Sequence, residues 1–246
     1  MSGRDPAERP HPRWIFFDCF NTLLDDFDAA SDESGMASIA PLAVECGYFA
    51  SKTSFHAAYG EWRRDHFAGG ELRELDLPGR LRAVLSRSPA FRSGACVASL
   101  ESAVSRMVAR FRVEFPLEVR VTPGAREMLD AWSGAVQMGV VSNVFLPGLP
   151  RELLERFGLA HHFAFVIDSA SVGFKKPHPA IFHAALRTAG TRAEDVLFIG
   201  DQVEADFRGP AALGMRALLL DRSRDRQKPP PPQGVQRIES WQAFRP

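Results

Sequence analysis

The chain has 246 residues, 45% of them hydrophobic and 24% charged, which is long and apolar enough to bury a large core. Its 30 basic and 30 acidic residues balance, so nothing in the net charge favours binding to nucleic acid or to an anionic membrane. Three cysteines without a CxxC spacing, no apolar leader and no apolar run of about 18 residues predict a cytoplasmic protein with reduced thiols.

In chain order, a polar, proline-rich segment comes first, and we expect a disordered N-terminal tail over residues 1–13. Residues 14–17 form a short apolar run that ends at Asp18, a pattern typical of a strand buried on both faces of a parallel sheet. Further strands are predicted at 136–141, 196–199, 216–220 and, as a last edge strand, 235–238. Helical spacing is found between them at 124–133 and 179–189.

Strands that alternate with helices predict an α/β fold, a Rossmann-like parallel sheet flanked by helices. In open sheets of this type, ligands bind beyond the carboxyl ends of the strands. Polar residues follow several of the predicted strands, and we expect them to face one crevice: Asp18, Ser142, Asn143 and Asp201.

Residues 27–115 interrupt the alternation and are mostly helical in pattern, for instance around Phe55 and around Leu100. Because this segment is inserted after the first strand, we interpret it as a helical cap on a core made of 14–26 and 116–246. An ordinary lateral helical subdomain is the alternative. Residues 222–234, with four consecutive prolines, predict a loop or flexible spacer.

Four short motifs occur in order, each at a strand end or at the start of a helix. They are Phe-Asp-Cys-Phe-Asn-Thr-Leu at 17–23, Val-Ser-Asn at 141–143, Gly-Phe-Lys-Lys-Pro at 173–177 and Ile-Gly-Asp-Gln-Val-Glu-Ala-Asp at 199–206. Together they resemble the haloacid dehalogenase-like hydrolases. The resemblance covers the core, at about 14–24 and 118–221, and the position of the cap.

The resemblance implies a catalytic role for Asp18 as the nucleophile, and a carboxylate can indeed split one difficult displacement into two steps. It implies that Lys176 steadies Asp18 and the transferred group, and that Ser142 donates a hydrogen bond to that group. Asn143 is expected to shape the same substrate-binding pocket. We expect a small-molecule substrate, phosphorylated in the leading interpretation, and no nucleic-acid or membrane partner.

The same motifs predict a magnesium site. Asp18, Asp201 and Asp206 offer carboxylate oxygens, which are the ligands that Mg²⁺ prefers. By resemblance, the backbone carbonyl of Phe20 completes the inner shell and also borders the substrate. Three carboxylates, one divalent ion and one lysine then balance in formal charge.

One position departs from the phosphatases of this family, which carry a second aspartate two residues after the nucleophile. Here that residue is Phe20, which cannot transfer a proton. Haloacid dehalogenases also place an aromatic residue there and work without a metal, so a metal-independent 2-haloacid dehalogenase with an ester on Asp18 is one alternative. Asp201 favours the metal-dependent interpretation. A non-catalytic protein that binds a phosphorylated ligand is the second alternative.

The predicted cap offers few readable residues. Arg63 is a candidate contact for an anionic substrate, whereas His66 is expected to pack in the cap. Lys175 is expected to be solvated, since it stands one place off the lysine-before-proline position. His178 is expected at a helix-capping position and Cys19 in the core. The oligomeric state, monomer or homodimer, and the substrate itself remain open.

Overall fold

The computed structural model describes residues 12–26, 35–94, 99–222 and 233–245. Residues 1–11 of the predicted tail and most of the predicted loop at 222–234 lie outside the described residues. The strands of the described part are β1 (Trp14–Phe17), β2 (Leu24–Asp26), β3 (Val119–Val121), β4 (Gln137–Ser142), β5 (Phe165–Asp168), β6 (Val196–Gly200), β7 (Arg216–Leu220) and β8 (Arg237–Ile238). Its helices are α1 (Met36–Glu45), α2 (Lys52–His66), α3 (Leu77–Leu85), α4 (Pro89–Arg92), α5 (Leu100–Glu118), α6 (Ala125–Trp132), α7 (Leu149–Arg156), α8 (Ser169–Val172), α9 (Pro179–Ala189) and α10 (Gly209–Ala211).

Six strands form one parallel sheet in the order β5, β4, β1, β6, β7, β8. β1 lies inside the sheet and pairs along its whole length with β4 on one side and β6 on the other. Its residues Ile15, Phe16 and Phe17 are fully buried, as expected for a parallel strand covered on both faces. The predicted α/β fold with a Rossmann-like parallel sheet is therefore confirmed.

The order of the strands explains where a ligand can bind. After β1 the chain adds β4 and β5 on one side of it and then crosses to add β6, β7 and β8 on the other side, so the order of the strands reverses at β1. Such a point of divergence leaves a crevice beyond the carboxyl ends of the strands. Asp18 follows β1 at this point, directly after Phe17.

A helical segment, α1 to α5, lies between β2 and β3, and those two strands pair antiparallel with each other. The helices predicted around Phe55 and Leu100 are confirmed by α2 and α5. α2 begins with a capping box at Ser51 and buries Phe55, Tyr59 and Trp62 along one face. α5 ends at Glu118, slightly beyond the predicted boundary at 115.

Two features of the described residues concern the thiols and the length of the helices. Cys19 and Cys46 are buried and form no disulfide, whereas Cys96 lies outside the described residues. None of the helices in the described part of the chain combines the length and apolar character that a membrane crossing requires.

One strand of the six-stranded sheet is not predicted from the sequence, and neither is the antiparallel pair of β2 and β3. β5 consists of Phe165, Val166, Ile167 and Asp168 and pairs with β4 at the edge of the sheet. The run is short, and periodicity alone cannot separate so short an apolar run from part of a helix. The predicted edge strand at 235–238 is confirmed in part, because β8 pairs with β7 at the other edge.

Gly139 of β4 is required because the ring of Phe165 lies across it, where a Cβ would overlap the ring. We expect Gly139→Ala to lower the free energy of unfolding by about 1–3 kcal/mol through overpacking. Gly60 of α2 is the matched control, since a Cβ there meets only the Arg64 guanidinium at 3.5 Å. Gly60→Ala should raise stability by about 0.5–1 kcal/mol because alanine favours the helix. Urea unfolding of both variants measures the difference, and equal effects would contradict this packing.

Candidate active site

Asp18 lies at the carboxyl end of β1, where its backbone amide donates a hydrogen bond to the Ile199 carbonyl oxygen at 2.8 Å. The residue is only 6% exposed. Its Oδ1 accepts a hydrogen bond from Lys176 Nζ at 2.7 Å, and its Oδ2 accepts one from Thr22 Oγ1 at 3.2 Å. Both carboxylate oxygens of the predicted nucleophile are therefore held in place.

The Lys176 ammonium group lies between two buried carboxylates. Nζ is 2.7 Å from Asp18 Oδ1 and 2.7 Å from Asp206 Oδ1. Burial lowers the pKa of Lys176, but the two carboxylates together outweigh burial and hold this pKa above its ordinary value of 10.5. Lys176 is therefore a cation at neutral pH.

The backbone of Lys176 is fixed by the side chain of Asn143, which follows β4. Asn143 Oδ1 accepts a hydrogen bond from the Lys176 amide at 2.7 Å, and Nδ2 donates one to the Lys176 carbonyl oxygen at 3.1 Å. One amide side chain can form both bonds because it carries a donor and an acceptor. The predicted substrate contact of Asn143 stays a prediction, whereas its contact with the lysine loop is observed.

Asp206 comes from a π-helical turn, Val203–Arg208, that follows β6. Its Oδ2 accepts a hydrogen bond from the Gln202 amide at 3.0 Å, which leaves Oδ1 to Lys176. A Cβ on Gly200 would overlap the Asp206 carboxylate. The glycine of the Gly-Asp motif is therefore needed at this position to make room for the second carboxylate.

Asp18, Asp201 and Asp206 form a cluster whose ligand oxygens all lie within 4.8 Å of one another. Burial raises the pKa of Asp18, Lys176 lowers it and Asp206 raises it, with a net pKa of about 6 against an ordinary 3.8. Three carboxylates and one ammonium leave an excess of negative charge. A divalent cation that prefers carboxylate oxygens, such as Mg²⁺, fits this donor set and offsets the excess.

Ser142, the last residue of β4, is fully buried. Its Oγ has no hydrogen-bond partner among the residues that the structure describes. A buried polar group without a partner typically costs about 1–3 kcal/mol of folding free energy. The hydroxyl is thus suited to a ligand group that accepts a hydrogen bond.

Phe20 stands two residues after Asp18 and is partly exposed. Its ring packs edge-on against Phe115 of α5, with the ring centroids 5.9 Å apart. The side chain therefore joins the nucleophile loop to the helical segment, and it offers no proton to a leaving group. The predicted metal contact of the Phe20 carbonyl stays a prediction.

Three predictions concern side chains at the helical segment. Arg63 lies on α2 and is partly exposed, and its contact with a substrate stays a prediction. His66 stacks on Trp62 with ring centroids 5.0 Å apart, which confirms it as a packed residue. Lys175 was predicted to be solvated, and this is wrong. Its Nζ lies 3.3 Å from the centroid of the Phe67 ring, a cation–π contact between segments distant in sequence.

Two further side chains have the structural roles that the sequence predicts. Cys19 is fully buried, and burial raises the pKa of its thiol well above the ordinary 9.0, so it is not an activated nucleophile. His178 Nδ1 accepts a hydrogen bond from the Ala180 amide at 3.1 Å and thereby caps α9.

Sequence reasoning missed three polar residues around the site: Thr22, Glu74 and Ser169. Thr22 follows Asp18 by one helical turn of sequence, a spacing that could have suggested their hydrogen bond. Ser169 comes directly after the unpredicted β5. Glu74 lies in the helical segment, and no local pattern links it to the core. Its Oε2 accepts a hydrogen bond from Ser169 Oγ at 2.8 Å.

The parallel sheet and the lysine-paired carboxylate beyond β1 define an α/β protein with a charged site at the carboxyl ends of its strands. Residues 12–214 match the family of haloacid dehalogenase-like hydrolases. Because that match covers most of the chain, the protein belongs to the haloacid dehalogenase-like hydrolase family.

Individual relatives are similar over shorter stretches. Phosphoserine phosphatase of Thermus thermophilus is 43% identical over 77 residues, 31% of this chain and 31% of that protein. Glyceraldehyde 3-phosphate phosphatase of Methanothermobacter thermautotrophicus is 33% identical over 116 residues, 47% of this chain and 50% of that protein. The aligned regions thus span between about a third and a half of these relatives.

Among solved structures, 2-haloacid dehalogenase from Pseudomonas syringae superposes with a TM-score of 0.70 at 21% identity, over 94% of this chain and 95% of that chain. At this level of identity the likeness concerns the fold alone.

In EDTA, we expect the Lys176 ammonium to stabilise the folded state and the ionised Asp18 carboxylate to destabilise it. The raised pKa of Asp18 means that the folded state binds a proton more tightly than the unfolded state, so stability falls as pH rises from about 4 to 6. At pH 7.5 we expect Asp18→Asn to be up to about 3 kcal/mol more stable than the wild type.

Lys176→Met leaves two buried carboxylates without their cation and should cost about 3–5 kcal/mol. Denaturant unfolding at pH 7.5 and at pH 4 measures both variants. A lysine variant at least as stable as Asp18→Asn would contradict the charge arrangement described above.

Proposed function

We propose that this protein is a Mg²⁺-dependent phosphatase that acts on a small phosphorylated metabolite through an aspartyl phosphate on Asp18. The observation that carries the proposal is the cluster of Asp18, Asp201 and Asp206, in which Asp18 and Asp206 both pair with the Lys176 ammonium. The phosphatase names of two relatives support it, although they align over half of their length or less.

The reaction proceeds in two displacements. A carboxylate oxygen of Asp18 attacks phosphorus, the bond from phosphorus to the leaving-group oxygen breaks, and that oxygen keeps the electron pair. Water then attacks phosphorus of the aspartyl phosphate, which releases inorganic phosphate and restores the carboxylate. Lys176 offsets negative charge on the nucleophile and the transferred group, and Ser142 donates a hydrogen bond to a phosphoryl oxygen.

The three carboxylates, with the backbone carbonyl of Phe20, would hold the metal. When bound, Mg²⁺ supplies positive charge against the repulsion between an anionic nucleophile and an anionic phosphate. Burial and the Asp206 carboxylate raise the pKa of Asp18 and so oppose its ionisation. Asp18 is the better nucleophile when this opposition is offset.

The helical segment is proposed as the cap of this enzyme. In this assignment the core comprises 14–26 and 116–246, and the cap comprises 27–115 and contributes Arg63 to an anionic substrate. Support comes from the position of the segment between β2 and β3, close to Asp18 in the chain, and from the packing of Phe20 on Phe115.

One observation favours a second candidate, the metal-independent 2-haloacid dehalogenase. Phe20 replaces a proton donor, and the displacement of halide from carbon needs none. Against this candidate, the single Lys176 ammonium does not offset three carboxylates, so an attack without metal would leave excess negative charge beside Asp18. A non-catalytic binder explains the metal cluster but gives no reason for a buried carboxylate paired with Lys176.

We expect p-nitrophenyl phosphate to be hydrolysed with Mg²⁺ and not with EDTA. Asp18→Asn should lower kcat by roughly 10³-fold or more, because it removes the nucleophile. Glu101→Gln, which alters only an exposed ion pair with Arg82, is the matched surface control and should keep full turnover.

Absence of p-nitrophenyl phosphate hydrolysis both with Mg²⁺ and with EDTA would refute the phosphatase proposal. Halide release from 2-haloacids without metal would then establish the dehalogenase. Mg²⁺-dependent phosphate binding without any turnover would instead establish the non-catalytic binder.

Because Phe20 cannot protonate a leaving group, turnover should depend steeply on how acidic the leaving alcohol is. Aryl phosphates should react much faster than alkyl phosphates in a series assayed at one pH. Phe20→Asp should raise alkyl phosphate turnover by roughly 10²-fold by supplying general acid. Phe20→Asn introduces a side chain of the same size as aspartate that is not an acid, so it should give no gain in alkyl phosphate turnover. Equal wild-type rates across the series would show that another group donates the proton.

A further inference from the structure

Residues 72–77 belong to the helical segment and lead into α3. They contact the core through backbone hydrogen bonds. The Lys175 amide donates a hydrogen bond to the Leu72 carbonyl oxygen at 2.9 Å, and the Glu74 amide donates one to the Gly173 carbonyl oxygen at 2.9 Å. This short antiparallel contact immediately precedes Lys176. The segment therefore borders the loop that carries the site lysine.

A second backbone contact lies on the neighbouring loop. The Leu77 amide, at the start of α3, donates a hydrogen bond to the Phe145 carbonyl oxygen at 2.5 Å. Phe145 stands two residues after Asn143, whose side chain binds the backbone of Lys176. The same segment thus touches both loops that shape the site.

Glu74, in the middle of this segment, carries a buried carboxylate. Its Oε1 accepts a hydrogen bond from Arg80 at 2.7 Å, and the two side chains are 2% and 3% exposed. Arg80 also donates to the Leu75 carbonyl oxygen and to Tyr59, and its guanidinium lies 4.5 Å from the Phe145 ring centroid. This network fixes the carboxylate at one position.

The other carboxylate oxygen of Glu74 reaches into the core. Oε2 accepts a hydrogen bond from Ser169 Oγ at 2.8 Å. Ser169 Oγ accepts one from the Val144 amide at 2.9 Å and lies 3.0 Å from the Val144 carbonyl oxygen. Val144 follows Asn143 directly, and Ser142 precedes it. These hydrogen bonds therefore connect Glu74 to the end of β4 and the loop after it, which contain Ser142 and Asn143.

A buried ion pair is seldom needed for stability, because apolar residues of similar volume often do as well. What a charged hydrogen-bond network provides is a single arrangement of the groups it joins. Here those groups are the loop that follows Ser142 at the end of β4 and the loop that carries Lys176. The cost of burying Glu74 is thus explained if the reaction needs these loops in a fixed position.

We propose that Glu74 is a positioning residue, which acts through Ser169 and Val144 on Ser142 and through the backbone of 173–175 on Lys176. It belongs to the helical segment and touches no reacting group in this assignment. The inference rests on the proposed phosphatase function only for its kinetic test. In this proposal the helical segment, through Glu74, fixes the loops of the site, and this role is separate from any contact that the segment makes with the substrate.

Ser169→Ala breaks the connection between Glu74 and Val144, because it removes the contacts of Ser169 Oγ with both residues and leaves the ion pair of Glu74 with Arg80 intact. Misplacement of a catalytic group by 1 Å can cost about 10²-fold. We expect kcat for p-nitrophenyl phosphate to fall roughly 10-fold or more, with KM within about two-fold, well below the melting temperature. Glu74→Gln should also lower kcat. Glu101→Gln, which changes an exposed glutamate of α5, should leave kcat unchanged.

A spectroscopic readout separates positioning from a loss of stability. The chain has only four lysines, and the Lys176 ammonium is 1% exposed between two carboxylates. In protein labelled with ¹⁵N-lysine, its side-chain signal should be protected from exchange and identifiable by Lys176→Met. Ser169→Ala and Glu74→Gln should shift this signal or increase its exchange while the proteins stay folded.

Unchanged kcat and an unchanged lysine signal in both folded variants would overturn the positioning role. Failure of the phosphatase proposal gives a different result, because the wild type itself would then show no turnover. In that case the lysine signal still decides, and an unaltered signal in Ser169→Ala and Glu74→Gln refutes the inference.

Discussion

The Lys176 ammonium lies 2.7 Å from a carboxylate oxygen of Asp18 and 2.7 Å from one of Asp206, in a region where a buried charge without a partner costs several kcal/mol. This arrangement constrains the surrounding structure. Asn143 must hold the lysine backbone, Gly200 must leave room for Asp206, and β1 must end at Asp18. Each is a local feature whose purpose is to bring one cation and two anions together.

The parallel sheet makes this meeting possible between residues far apart in sequence. Lys176 and Asp18 are 158 positions apart, yet Asn143, which follows β4, holds the backbone of Lys176 beside the end of the neighbouring strand β1. The strands are short and buried on both faces, so their register is fixed by packing. Side chains just beyond strand ends thereby take positions as reproducible as those of the core.

Sequence reasoning succeeded where chemistry and local pattern coincide. Asp18, Ser142 and Asp201 stand at the ends of strands or directly after them, and strand-end placement alone is enough to bring them to one edge of the sheet. It failed for contacts made between segments. Glu74 reaches Ser169, and Lys175 lies on Phe67, only after the helical segment has packed on the core. No periodicity or spacing encodes such pairs, because each depends on tertiary structure.

In the proposed phosphatase, the charge cluster and the aromatic residue at position 20 would make separate demands on a substrate. The cluster is anionic in excess without a divalent ion, so it discriminates by whether the transferred group and the metal together balance the charge. Phe20, packed on Phe115, instead acts on the leaving group, which must depart without a proton from this position. On this proposal, a substrate that meets the first demand and fails the second would bind but would form the aspartyl phosphate slowly. Part of the selectivity would then arise in the chemical step, and the helical segment would contribute to it through the Phe115 ring that supports Phe20.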